Sequence, residues 1–322
     1  MRYDDKDQES QNVEDVRNES GRSPFGRGGM PFPIPMGTGR GGLSITTLII
    51  LGLLWFFFGS SIFGGSDQGG IQLPPLPRVD SGPTGQQRSP FDIPGLPGSK
   101  TGGPVKAESD EMKQFISRVL KDTEDVWNRV FQQFGRQYNE PKLVLFSGSY
   151  PTACGQGVAA MGPFYCPLDK KIYIDLAFYE ELKRRFRAPG DFAQAYVIAH
   201  EVGHHVQTLL GIAEKVQQMK QRLPEREANK VQVRMELQAD CLAGVWAALN
   251  HQLKNRLQPG DIEEGLNAAQ AIGDDMIQRQ QTGRIVPDAF THGSSAQRVK
   301  WFRRGLETAQ IQQCDTFSDP NP

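Results

Sequence analysis

Histidine is scarce in this chain: there are five in 322 residues, and three of them fall within positions 200–205. Cysteine is scarcer, with four, and no Cys-x-x-Cys occurs among them. Net charge is almost absent, since 36 Lys and Arg offset 37 Asp and Glu. That balance argues against a dedicated nucleic-acid binder, and Arg-Gly steps at Arg27 and Arg40 are too few to reverse it. The first hundred or so residues are rich in Gly, Pro, Ser and Arg and lack the apolar content to bury a core. Length alone would allow two domains. Composition instead leaves one globular domain, residues 106–322, a size that supports a single core.

Residues 1–42 are polar, then Gly-, Pro- and Phe-rich, and read as a disordered tail. From Leu43 to Phe63 the charge disappears altogether. As a helix this run would extend about 31 Å, against roughly 30 Å of bilayer hydrocarbon. A buried core helix needs no such uncharged length. A cleaved signal peptide is disfavoured by the long polar leader and by the lack of a clear Ala-x-Ala site. A retained transmembrane signal anchor is therefore expected. Arg22, Arg27 and Arg40 precede it, whereas Arg78 is the nearest basic residue after it. By the positive-inside rule the N-terminus is cytoplasmic and the large domain lies outside. Residues 64–105 follow as a Pro/Gly-rich linker, about 35 Å long as a coil.

Cys154, Cys166, Cys241 and Cys314 all lie in the globular part. In an oxidising compartment they can form two disulfides, with three connectivities open. Cys154–Cys166 would close a Gly-rich loop, and Cys241–Cys314 would pin the C-terminal tail to a helix. Buried free thiols or a second metal site are the alternatives.

The globular part opens with helical periodicity from Glu108 to about Phe134, and Lys142–Phe146 reads as a short strand. Lys171–Leu176 alternates apolar and polar residues, which suggests a half-buried strand. A second helical run spans about Glu225 to Leu253, and Asp261 can cap another. The expected class is α+β, mainly helical with a small sheet, behind one transmembrane helix.

The chemistry concentrates in Asp191–Leu210, whose apolar residues recur at helical steps. On that helix His200 and His204 are one turn apart and share a face. Two imidazoles so placed can hold one Zn²⁺ at about 2.0–2.1 Å. Glu201 is placed to touch a metal-bound water rather than to ligate, the His-Glu-x-x-His arrangement in which Glu is general base. A catalytic zinc takes a third protein ligand and keeps a fourth position for water. Glu236 is the best candidate, with Asp240 one turn on, able to accept the outer N–H of a ligand His. His251, near a helix end among polar neighbours, reads as a surface residue.

The segments Tyr196–Gln207, Met235–Cys241, Met161–Cys166 and Phe290–Gly293 closely resemble the YpfJ-like neutral zinc metallopeptidases, a likeness running from about Glu108 to the C-terminus. A shorter echo occurs at Asn12–Asp15. The resemblance implies a zincin-like metallopeptidase domain over 106–322, with His200, His204 and Glu236 as ligands of one Zn²⁺ and Glu201 as base. It also suggests that His292 faces the site to hydrogen-bond the oxyanion while Arg298 holds neighbouring carboxylates. The other reading of that pair is a capping-loop His and an exposed Arg. Tyr165 and Tyr173 are further oxyanion candidates. In zincins, an edge strand in the position of Lys171–Leu176 pairs with extended substrate; a plain core strand is the alternative. The expected protein is thus a peptidase acting on a peptide or protein substrate, single-pass in a bacterial inner membrane through Leu43–Phe63, with its peptidase domain extracytoplasmic. A zinc-stabilised scaffold or chaperone that cuts nothing, and an amidase acting on cell-wall peptides, are the rival functions.

Overall fold

The computed structural model describes residues 1–18 and 104–322. The expected span Leu43–Phe63 and residues 64–103 of the expected linker 64–105 lie outside the described residues. Among those described, no helix is long and apolar enough to cross a membrane.

Helix α1 (Pro104–Gln133) buries Ile116, Val119, Leu120, Val126, Trp127, Val130 and Phe131, the stripe its sequence period dictates. Six short strands follow the chain: β1 (Val13–Asp15), β2 (Lys142–Phe146), β3 (Ser149–Thr152), β4 (Gly155–Val158), β5 (Phe164–Cys166) and β6 (Lys171–Asp175). Four make one sheet in the order β1-β2-β6-β5, parallel except for antiparallel β5. Strands β3 and β4 form a separate hairpin. Cys154 is disulfide-bonded to Cys166 at the end of β5. Of the two readings open from sequence, strand β6 (Lys171–Asp175) is therefore the inner strand and not the edge. It lies between β2 and β5, and the three-residue β5 takes the outer position because the disulfide draws the Gly-rich loop back along it.

Seven further helices follow among the described residues: α2 (Ala177–Arg184), α3 (Asp191–Leu209), α4 (Ile212–Lys220), α5 (Glu225–Lys254), α6 (Asp261–Ala271), α7 (Asp274–Thr282) and α8 (Ser295–Thr308). Helix α3 is buried on nearly all sides, from Phe192 through Gln207. It crosses α5 closely at Gly203, where an added Cβ would sit 3.0 Å from the Ala239 carbonyl oxygen. Helices α5 and α8 approach backbone to backbone: a Cβ on Gly305 would overlap the Cys241 carbonyl, and one on Gly244 the Phe302 carbonyl. The Cys241–Cys314 disulfide closes the same region. Ser294 starts α8 with a capping box completed by Gln297.

Residues 1–18, expected as part of a disordered tail, are folded. β1 pairs with β2, Val13 opposite Leu143. Met1 is buried, and its ammonium contacts Asp261 at 3.1 Å and also Asp191. Arg256 binds Asp7 at 2.6 Å and Asp122 at 2.9 Å, with its guanidinium 4.4 Å from the centre of the Tyr3 ring. The polar composition hid this because the segment is held by ion pairs and one strand rather than by an apolar core. Backbone hydrogen bonding between β1 and β2 also requires the two to share one side of any membrane.

Two outcomes test this packing. Gly305→Ala is expected to destabilise the protein by about 3 kcal/mol despite the better helix propensity of Ala, because backbone rather than a side chain must move; thermal denaturation measures it. In intact cells, a membrane-impermeant maleimide should label Gln8→Cys and Glu227→Cys together or not at all. Labelling of one alone would place the two segments on opposite sides and break the β1–β2 pairing.

Candidate metal centre

Helix α3 carries His200 and His204 one turn apart, and α5 brings Glu236 across the Gly203 contact to meet them. Glu236 Oε2 lies 3.2 Å from His200 Nε2 and 3.3 Å from His204 Nε2, and the three atoms are all within 4.8 Å of one another. Ligand atoms set tetrahedrally at 2.0–2.1 Å from Zn²⁺ are themselves about 3.3 Å apart, and two His with one carboxylate is a known catalytic donor set. The residues present fit such an ion.

The outer atoms of each ligand are held. His200 donates from Nδ1 to Asp240 at 2.7 Å. Fully buried Asp240 also accepts from the Tyr196 hydroxyl at 2.5 Å and from Arg298 at 2.8 and 2.9 Å. His204 donates from Nδ1 to Gln207 Oε1 at 2.9 Å, while the Gln207 amide donates to the Met235 carbonyl and to Gln238. Gln232 donates to Glu236 Oε1 at 2.7 Å, leaving Oε2 toward the imidazoles. Both Nε2 atoms thus face inward, as ligation requires.

Electrostatics follow from these contacts. Burial favours a neutral Asp240, but Arg298 and His200 outweigh it and hold the carboxyl down at about 2. Burial also opposes charge on His200, and Asp240 with Glu236 overrides it, raising the imidazole to about 9. Glu236 is held well below the usual carboxylate range by the two His against its own desolvation. The cluster is therefore anionic at its acids and primed for a cation; ligation exchanges imidazole protons for metal.

Glu201 and His292 line the same cleft, a cavity of about 380 Å³. His292 receives its orientation from Asp274, which bonds its Nδ1 at 3.1 Å and its backbone N–H at 2.6 Å, and also accepts from the backbone N–H groups of Thr291 and Gly293. Burial works against protonation of His292, but Asp274 and then Glu236 raise its pKa. Arg298 is not an exposed residue but is buried against Asp240. The tyrosines expected as oxyanion donors fare differently. Tyr173, on the inner strand β6, donates its hydroxyl to Asp169 at 2.7 Å, away from the cleft. Tyr165 lines the cleft, yet its hydroxyl meets His205 Nδ1 at 3.0 Å. Because His205 Nε2 donates to the Asn139 carbonyl at 2.6 Å, Nδ1 accepts and Tyr165 is the donor. Burial pushes His205 down to about 4, and it takes no part in the ligand cluster. His251 is likewise elsewhere, accepting from the Leu257 backbone N–H at 3.1 Å.

Sequence reasoning missed Tyr196, Gln207, Gln232 and Asp274. Three of these carried a signal: Tyr196 is four residues before His200, Gln207 three after His204, and Gln232 four before Glu236. Each is one helical turn from the ligand it supports or flanks.

The profile of a protein family described as "Putative neutral zinc metallopeptidase" matches residues 1–317. The chain belongs to that family. It is 46% identical over 309 residues to the protein YpfJ of Escherichia coli (strain K12), covering 96% of both chains. It is also 47% identical over 191 residues to Mb2605 of Mycobacterium bovis and to Rv2575 of Mycobacterium tuberculosis, covering 56% of this chain and 64% of theirs. No solved structure matches. The family supports a zinc peptidase and thus zinc as the cation for the cluster.

The buttress on His204 gives a direct test. Gln207→Leu should weaken zinc binding by about 10–100-fold, as removal of an outer-shell partner generally does, measured by competition with a chromophoric chelator.

Proposed function

We propose that this neutral zinc metallopeptidase hydrolyses peptide bonds at the His200, His204 and Glu236 cluster. The observation that carries the reading is the meeting of three inward-facing ligand atoms, from two helices, in the cleft that also holds Glu201. Zinc held by His200, His204 and Glu236 would acidify a water and polarise the scissile carbonyl. Glu201, in the same cleft, is placed to act as the general base and to return the proton to the departing amine. His292, its ring held by Asp274, is placed to donate to the oxygen on which negative charge develops. Asp240 and Arg298 do not touch substrate; they lock the ring of His200. Strand β5 is the sheet edge beside the cleft, since Phe164 and Tyr165 line it, and an extended substrate can pair along that edge. Two disulfides among four cysteines support an oxidising compartment. Tethering at a membrane through Leu43–Phe63 belongs to the same reading.

Replacing the base separates hydrolysis from binding. Glu201→Gln should keep its full zinc content and lose about 10²–10⁴-fold in peptide cleavage, read by metal analysis beside cleavage of a peptide library. If the cellular effect of the protein survives that change, the scaffold reading stands instead. Parallel incubation with cell-wall peptides separates a general peptidase from a wall amidase.

A further inference from the structure

One wall of the cleft is apolar in a way that the ligand cluster does not need. Phe178 comes from α2, Phe186 from the turn after it, Ile272 from the end of α6 and Ile277 from α7, and all four line the cavity that contains His200, Glu201 and His204. Each is only partly buried. Phe178, Phe186 and Ile272 rest against the core, whereas Ile277 belongs to no core cluster among the described residues. Met161, 62% exposed, also lines the cavity. Apolar side chains from three separate elements gathered around a catalytic cavity leave an apolar surface for substrate to cover.

The charged groups of the cleft are meanwhile committed. Arg298 is bound to Asp240, His292 to Asp274, and Arg185 faces Glu181 at 3.9 Å. The remaining acids, Glu201 and Glu236, belong to the water and the metal. A charged substrate side chain set against the four apolar residues would lose water there, the half-exposed Arg185, Glu181 and His292 being the charges of the cleft still open to it.

We infer that the wall of Phe178, Phe186, Ile272 and Ile277 receives a bulky apolar side chain, of Leu or Phe size, from the residue next to the scissile bond. The inference rests on the peptidase reading above and names its substrate class. Gly162 adjoins the same wall: a notional Cβ on it would lie 3.5 Å from the Phe178 ring, and its φ of +75° favours glycine there.

The test uses the zinc-loaded full-length protein and a peptide series varied at the two positions flanking the cleaved bond. Leu or Phe at one of them should raise kcat/KM about 10–100-fold over Gly, Lys or Asp, and Ile277→Asp should remove most of that preference at unchanged zinc content. Equal rates across the series, or a preference for a charged residue, would overturn the inference while leaving the peptidase reading intact. Binding of the same peptides to zinc-loaded Glu201→Gln, followed by fluorescence anisotropy, decides the matter without turnover. Tighter binding of the Leu and Phe peptides supports the apolar subsite, and equal binding refutes it. Absence of cleavage of every peptide by the zinc-loaded wild type would instead count against the peptidase reading.

Discussion

The site depends on one buried carboxylate. Asp240 is fully enclosed, and it joins α5 to α3 through His200 and Tyr196 and to α8 through Arg298. A charge removed from water in this way is tolerable only when its acceptor positions are filled, and here four donor atoms fill them. Removing either member of the Asp240–Arg298 pair would leave its partner uncompensated, a loss of about 3–5 kcal/mol. The same contact fixes the His200 tautomer, so the geometry at the metal and the assembly of three helices rest on one interaction.

Close backbone contact makes that interaction reachable. Gly203 lets α3 approach Ala239 on α5, and Gly244 and Gly305 do the same for α5 and α8. Both contacts fall within a turn or so of the functional side chains. A larger residue at Gly203 would press on α5 at Ala239, beside Asp240 and within a turn of Glu236, which gives the central Gly of the His-Glu-Val-Gly-His run a steric reason.

Much of the centre was legible from spacing, because helical periodicity places His200 with His204 and Glu236 with Asp240 without tertiary information. That α3 and α5 would face each other was suggested by the order of motifs, and the Gly203 contact supplies the means. Less visible were the amides of Gln207 and Gln232, polar residues at one-turn spacing with nothing in their type to separate them from solvated neighbours. The sheet was half legible. β2 and β6 carry apolar runs, but β5 is three residues inside a Gly-rich loop, and its edge position is a tertiary fact. The N-terminal segment was misread for a physical reason: Arg256, Asp7 and Asp122 hold it by paired charge, and a composition argument counts those residues as solvated.

The bond between Cys241 and Cys314 spans 73 positions of chain. Helices α6, α7 and α8 all lie inside that span, and with them Asp274, His292 and Arg298. The connection from α7 toward His292 is its most exposed stretch, residues 283–289, the kind of surface that a protease cuts first. A cut there would open the covalent ring without releasing either arm: the piece bearing His292 and Arg298 would stay fastened to α5 beside Asp240. The side chains gathered around the ligand cluster would therefore stay together after a nick.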